Sequence, residues 1–207
     1  MATAASPRRI GSEDSGTRAR LLDAAETLMR EKGYAAVTSR RVASEAGLKP
    51  QLVHYYFRTM DDLFVELFRR GAEANMERFE QAIADDGSLA NLWRLNNEPR
   101  GAALTLEFVA LANHRKQVRA EITRFAERFR AAQVEAVRKA LADAGVREDQ
   151  LPPIVGLLLM TGLSQVLTIE NSLGVTAGHD TTIAFVEQAI AQLEARMPAA
   201  RPRRRRQ

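Results

Sequence analysis

The segment from Thr38 to Thr59, TSRRVASEAGLKPQLVHYYFRT, constrains the fold of this chain more than any other. Thr38 is a suitable N-cap, because its hydroxyl accepts a hydrogen bond from a backbone N–H that has no partner within the helix. Gly47 provides the left-handed residue that ends a helix, and Pro50 suits the first turn of the next one. The segment therefore predicts two short helices joined by a tight turn.

The side chains of these two helices divide between a buried and an exposed side. The apolar side consists of Val42, Ala43, Ala46, Leu48, Val53 and Phe57. Cationic, amide and aromatic side chains remain on the other side. A short helix with such a surface, braced by a preceding helix, has the geometry of a helix-turn-helix in the major groove of DNA.

At these residues the sequence resembles the TetR family of transcriptional regulators. The residues that match the family pattern are Thr38, Val42, Ala43, Ala46, Gly47, Val53, Tyr56, Phe57 and Leu63, with Leu48 a near match. The resemblance implies an all-α protein with an N-terminal three-helix helix-turn-helix domain and a C-terminal helical domain for ligand binding and dimerisation. Lys49, His54 and Met60 depart from the pattern; Lys49 replaces a capping Ser or Thr.

The residues predicted to contact DNA lie on the exposed side. Arg40 and Gln51 are the best base readers, since Arg pairs with guanine and Gln with adenine through two hydrogen bonds, and Leu52 suits a thymine methyl. Hydroxyl groups and Arg58 suit phosphate contacts, which position a protein without reading sequence. The predicted set is Thr38, Ser39, Arg40, Lys49, Pro50, Gln51, Leu52, His54, Tyr55, Tyr56, Arg58 and Thr59. Arg18 and Arg20 are further candidates for backbone contacts.

The distribution of charge favours a polyanionic partner for the N-terminal third. Residues 1–60 carry ten Lys and Arg against six Asp and Glu, whereas residues 61–200 carry fifteen against twenty. Five arginines follow in residues 201–207. The chain has no cysteine, which is compatible with a reducing cytoplasm. No apolar run suggests a signal peptide at the N-terminus.

Helical periodicity and turn residues divide the chain into four parts. We predict a disordered arm at 1–16, the DNA-binding domain at 17–60, the effector-binding and dimerisation domain at 61–198, and an Arg-rich tail at 199–207. Within the third part, 154–169 is apolar on nearly all sides. Its sixteen residues contain Thr161, Ser164 and Gln165 and fall short of the ~20 that a membrane span needs. A helix buried by its own domain and a second subunit fits better.

The resemblance implies an effector pocket and a dimer interface in this third part. The candidate pocket residues are Trp93, Phe108, Leu111, Phe125, Phe129, Met160, Thr161, Leu163, Gln165 and Asn171. Such a pocket suits a mainly apolar small molecule. The candidate interface residues are Ile154, Leu158, Val166, Ile169, Ile183, Val186, Ile190, Leu193 and Met197.

No catalytic set, metal site or cofactor motif is predicted. His54, His114 and His179 lie on different predicted elements, and no phosphate-binding loop or nucleophile elbow is present. Together with the resemblance, the sequence predicts a cytoplasmic homodimeric repressor that binds a palindromic operator and is released from it by a mainly apolar effector. Two alternatives stay open. One is a helix-turn-helix regulator without a small-molecule effector, and the other is a helical enzyme or scaffold.

Overall fold

The computed structural model describes residues 10–97 and 102–195, which contain helices and no strand. The helices are α1 (Ile10–Lys32), α2 (Ser39–Glu45), α3 (Pro50–Tyr56), α4 (Met60–Asp85), α5 (Leu89–Asn96), α6 (Ala102–Ala112), α7 (Lys116–Asp143), α8 (Pro153–Ser172) and α9 (His179–Glu194). A 3₁₀ turn, Tyr34–Ala36, follows α1. The all-α prediction is therefore confirmed.

Local chemistry determines several of the helix boundaries. The Thr38 hydroxyl accepts a hydrogen bond from the Arg41 N–H at 3.4 Å, and Ser88 does the same for Asn91 at 3.1 Å. Gly47 takes the left-handed conformation, with φ of 63°. These are the bonds and angles that favour Ser and Thr before a helix and Gly after it.

The first helix begins at Ile10, earlier than the predicted start at Thr17. Residues 10–16, predicted as part of a disordered arm, thus belong to α1; no proline interrupts them, and each added residue gains a helical hydrogen bond. The remainder of the predicted arm lies outside the described residues. So do Met197 and the Arg-rich tail.

The described chain forms two compact units, and the first holds residues 10–73 and 102–125. Its core contains Leu21, Leu28, Met29, Val42, Val53, Phe57, Leu63, Phe64, Phe108, Leu111 and Val118. Helix α6 and the first part of α7 therefore pack with the helix-turn-helix. The boundary predicted at residue 60 separates two functional domains, whereas the unit described here is defined by packing. The predicted boundary therefore stays a prediction.

Polar contacts join the later helices of the first unit to the earlier ones. The Glu107 carboxylate on α6 accepts a hydrogen bond from the Tyr34 N–H at 2.6 Å. On α7, Glu121 accepts two hydrogen bonds from Arg69 of α4, at 2.7 and 2.9 Å. Gln117 donates to Asp62 at 3.0 Å. Paired hydrogen bonds between a guanidinium and a carboxylate also fix orientation.

The second unit holds residues 74–97 and 126–195. Phe79, Leu92, Trp93, Leu141, Leu157 and Ile190 belong to its core. Helix α8 has 20 residues and a mean hydropathy of 1.5, so it is long and apolar enough to cross a membrane. Only 22% of its apolar window is buried within the protein, which leaves most of the window exposed. It is longer than the sixteen-residue run that the sequence analysis considered. One such helix is weak evidence for a membrane span, because an exposed apolar face also suits a protein partner.

We predict that the Arg69–Glu121 pair makes the stability of the first unit dependent on pH. Hydrogen bonds from Arg69, reinforced by Arg124, lower the pKa of Glu121 from 4.5 to about 2 against the opposing effect of burial. A lowered carboxyl pKa stabilises the fold above the unfolded value, and this stabilisation is lost as pH falls from 4.5 towards about 2. Because Arg69 is half-exposed, Glu121→Gln should lower the free energy of unfolding at pH 7 by only about 1–2 kcal/mol.

Urea denaturation of the wild type and of Glu121→Gln at pH 7 and pH 3 measures the difference between their free energies of unfolding. This difference should be smaller at pH 3. Glu148→Gln is the matched control, since Glu148 and its partner Arg138 are both exposed and such pairs contribute about 0–1 kcal/mol. An equal difference for Glu121→Gln at both pH values would contradict the prediction.

Candidate functional site

Helix α3 has one side in the core and the other at the surface. Val53 and Phe57 are 1% and 2% exposed, whereas Tyr55 is 72% exposed. Gln51 and His54 are also exposed, and Leu52 is half-buried. The Tyr55 and Tyr56 rings contact edge to face, with centroids 5.0 Å apart. This arrangement leaves amide, imidazole and phenol groups open to a partner.

Unpaired cations lie at the starts of α2 and α3. Lys49 is the N-cap of α3, has no side-chain capping hydrogen bond, and is followed by Pro50 at the first helical position. Lys49, Arg40 and Arg41 are exposed, and none of their side chains forms an ion pair with a described residue. A cation at the N-terminus of a helix is unfavourable for the helix dipole. The positive charge is therefore available to an external anion.

Thr59 has a structural contact that the sequence analysis missed. Its hydroxyl accepts a hydrogen bond from the Asp62 N–H, and the Asp62 carboxylate accepts one from the Thr59 N–H, both at 3.1 Å. This reciprocal pair is a capping box at the start of α4, and the Thr-x-x-Asp spacing was its sequence signal. The hydrogen bonds from Gln117 and then Thr59 lower the pKa of Asp62.

Arg18 and Arg20, which are candidates for contacts with the DNA backbone, contact groups of the protein itself. Arg18 pairs with Glu66 and lies 5.6 Å from the centre of the Phe57 ring. Arg20 donates to the carbonyl oxygen of Ala46 at 2.7 Å. That carbonyl is at the end of α2, where carbonyl groups lack a helical partner. Both arginines therefore hold the helix-turn-helix in place.

Glu107 positions the link between α1 and α2. Besides binding the Tyr34 N–H, its carboxylate lies so close to Gly33 that a Cβ on Gly33 would be 3.3 Å from Oε2. Gly33 also has a φ of 77°, which favours glycine. The only sequence signal for this role was a charged residue within the otherwise apolar stretch 101–113.

The ten candidate pocket residues fall into both units and into different environments. Phe108, Leu111 and Phe125 belong to the first unit, where Phe108 and Phe125 pack against Phe68 at centroid distances of 5.3 and 5.7 Å. The remaining candidates belong to the second unit: Trp93 is buried; Phe129, Met160, Thr161 and Leu163 are half-buried; Gln165 and Asn171 are exposed. The Thr161 hydroxyl donates within α8 to Leu157 at 2.9 Å.

A groove between α5 and α9 has a volume of about 450 Å³. Of the ten candidate pocket residues, Trp93 lines it. Ile183 and Ile190, predicted as interface residues, form part of its apolar wall. Arg94, Glu187 and Glu194 supply charged groups. The volume and mixed lining are typical of a site for a small organic molecule.

The candidate interface residues on α8 and α9 differ in exposure. On α8, Ile154, Leu158, Val166 and Ile169 are exposed, and their place in an interface stays a prediction. On α9, the predicted stripe turns inward: Ile190 is buried in the core of the second unit, and Val186 and Leu193 pack against that core. In the sequence, Ile183, Val186, Ile190 and Leu193 recur at intervals of three and four residues, which identifies an apolar stripe but not the surface on which it packs. The outward face of α9 instead presents Phe185, which is 70% exposed.

Comparison with known proteins finds a family and a common fold. A model of the bacterial regulatory proteins of the tetR family matches residues 21–67. A TetR transcription regulator from Haloarcula marismortui has 20% sequence identity and a TM-score of 0.68, with 88% of this chain and 98% of that chain covered. A transcriptional regulator from Saccharomonospora viridis, solved in complex with choline, has 20% identity and a TM-score of 0.64, with coverage of 86% and 95%.

A TetR-family regulator from Mesorhizobium loti has 19% identity and a TM-score of 0.66, with 89% of this chain and 96% of that chain covered. No significant match is found among curated proteins. The matched segment 21–67 contains the second half of α1, all of α2 and α3, and the start of α4, and thus includes the exposed helix-turn-helix described above. The helix-turn-helix segment therefore matches the family of bacterial regulatory proteins named tetR, and most of the chain shares the fold of the regulators named above.

Proposed function

We propose that this regulator is a cytoplasmic repressor that binds a palindromic operator as a homodimer and is released by a mainly apolar small molecule. The observation that carries the proposal is the position of α3, whose inner residues are buried in the core while its outer residues lie at the surface. A helix presented in this way fits the major groove, where base pairs display distinct hydrogen-bonding groups.

The exposed residues of the helix-turn-helix support specific roles. Arg40 and Gln51 read base edges, Lys49 and Arg58 contact phosphates, and Tyr55 and Tyr56 position the helix on the backbone. Arg40 and Lys49 have no intramolecular ion pair among the described residues, so binding to DNA breaks no such pair. Release of counterions from the phosphates then supplies a salt-dependent part of the affinity.

Two observations support a small-molecule effector. The groove between α5 and α9 has the volume of a ligand site. The similar regulator from Saccharomonospora viridis was solved in complex with choline, which is a small organic molecule. An effector lowers operator affinity if it binds more tightly to the conformation that does not fit the operator.

The exposed apolar side chains support a dimer. Of the eleven large hydrophobic residues that are exposed in the described chain, nine lie between Ile154 and Phe185. Such a concentration is unusual for a monomer in water and marks a protein interface. A second copy of the chain is the partner we propose, because twofold symmetry presents two recognition helices to two half-sites.

We predict that Arg40→Ala weakens binding to DNA selected from a random pool by about 1–3 kcal/mol and relaxes the preference for one base pair. The loss follows from the removal of a guanidinium that pairs with a base edge. Fluorescence anisotropy with the selected duplex and its single-base variants measures both effects. Arg130→Ala, which removes an exposed arginine from α7, is the control. Equal affinities for Arg40→Ala and wild type would exclude Arg40 as a base reader.

Lys49→Ser should change stability and DNA affinity in opposite directions. The hydroxyl supplies the missing cap of α3, which raises the free energy of unfolding by about 1 kcal/mol. Loss of the cation weakens DNA binding and reduces the salt slope by about 1. Urea denaturation and anisotropy at several salt concentrations measure these effects, with Lys139→Ser on α7 as the control. A variant with unchanged salt dependence would contradict a phosphate contact by Lys49.

Light scattering should give a molar mass twice the 23.0 kDa of one chain. Leu158→Glu should shift this mass towards that of one chain, because it places a carboxylate in the proposed interface. Val109→Glu is the matched control, since Val109 is similarly exposed but lies on α6. Circular dichroism confirms that the variants remain helical. A wild-type protein that is monomeric at micromolar concentration, or dissociation by both variants, would contradict the proposal.

A further inference from the structure

The groove between α5 and α9 has an apolar floor that belongs to the core of the second unit. Trp93 is 3% exposed and Ile190 is 8% exposed, so the surfaces that they present are held in place by packing. Ile183 and Ala191 extend this floor along α9. A rigid apolar floor of this kind suits the hydrocarbon part of a ligand, which gains free energy by leaving water.

The polar groups of the groove carry more negative than positive charge. Glu187 and Glu194 lie on the same face of α9, seven residues and therefore ~10.5 Å apart along its axis. Arg94 is the single cation of the lining, and its Nη2 atom donates to Asn91 at 2.7 Å. The charge of the lining therefore complements a cation better than an anion.

The two carboxylates have different existing contacts. One oxygen of Glu194 accepts a hydrogen bond from the Ala90 N–H at 3.1 Å, which ties α9 to the first turn of α5. Glu187 is exposed and has no hydrogen-bond or ion-pair partner among the described residues. Glu187 is thus the carboxylate that is available to a ligand, while Glu194 also has a structural contact.

We propose that this groove binds an organic monocation with an apolar body, with its ammonium group at Glu187 and its hydrocarbon part on Trp93, Ile183 and Ile190. The inference rests on the proposed function in taking this ligand to be the effector. An ammonium group gains from a nearby carboxylate, while the apolar part, which packs on the floor of the groove, selects against inorganic cations. A neutral or anionic molecule of equal length lacks the attraction between an ammonium group and the carboxylate.

The intrinsic fluorescence of the protein tests binding directly, since Trp93 is the only tryptophan of the chain. The probes are hexylammonium, hexan-1-ol and hexanoate, which share one alkyl chain and differ in charge. We expect hexylammonium to change the fluorescence with a dissociation constant about tenfold lower than that of hexan-1-ol, and hexanoate to bind more weakly than both. Equal binding of hexylammonium and hexan-1-ol would overturn the proposal.

Substitution of the available carboxylate assigns the effect to the groove. Glu187→Gln should remove the advantage of hexylammonium, and Glu187→Lys should reverse the preference in favour of hexanoate. Glu80→Gln, which removes an exposed carboxylate from α4 of the same unit, is the matched control and should leave it unchanged. Equal effects of Glu187→Gln and Glu80→Gln would overturn the assignment to this groove.

Anisotropy with the selected DNA separates this inference from the proposed function. If hexylammonium changes the Trp93 fluorescence with the expected charge preference but does not release DNA, the groove is a cation site and the effector role fails. If apolar compounds release DNA without changing the Trp93 fluorescence, the proposed release by an apolar effector stands, and the inference about the groove is overturned.

Discussion

Burial of Val53 and Phe57 is the interaction on which the proposed DNA-binding surface depends. Helix α3 has seven residues, and an isolated helix of that length is unstable in water. Its conformation is therefore stabilised by tertiary packing. Val53 and Phe57 are only 1% and 2% exposed, so nearly the whole surface of each side chain is buried in the core. Because the inner side supplies the stability, the outer side is available for polar and aromatic groups that contribute little to folding.

Packing of the helix-turn-helix also depends on residues that are distant in the sequence. Phe108, Leu111 and Val118 lie in the same core as Val53, and Glu121 binds Arg69 with two hydrogen bonds. The compact unit that contains the helix-turn-helix is consequently larger than the motif itself. A change in α6 or at the start of α7 alters the packing of that unit even though neither segment belongs to the recognition motif.

The sequence was sufficient where local chemistry determines structure. The cap at Thr38, the left-handed Gly47 and the position of Pro50 each depend on a few neighbouring residues, and the structure contains all of them. The sequence was insufficient where the partner of a side chain lies far along the chain. Arg20 binds a carbonyl 26 residues away, and the apolar stripe of α9 packs on its own unit. Periodicity identifies a buried face, but it does not identify what covers that face.

The hydrogen bond from the Tyr34 N–H to the Glu107 carboxylate determines which substitutions positions 34 and 107 tolerate. Every residue except proline offers the same N–H, so position 34 can vary widely without loss of this bond. Position 107 has no such freedom, because the acceptor is a side chain that must reach across from another helix. Gly33 is restricted as well, since both its φ of 77° and the adjacent carboxylate disfavour a larger residue. Mutational tolerance is therefore unequal on the two sides of one bond, and the stricter side lies outside the helix-turn-helix.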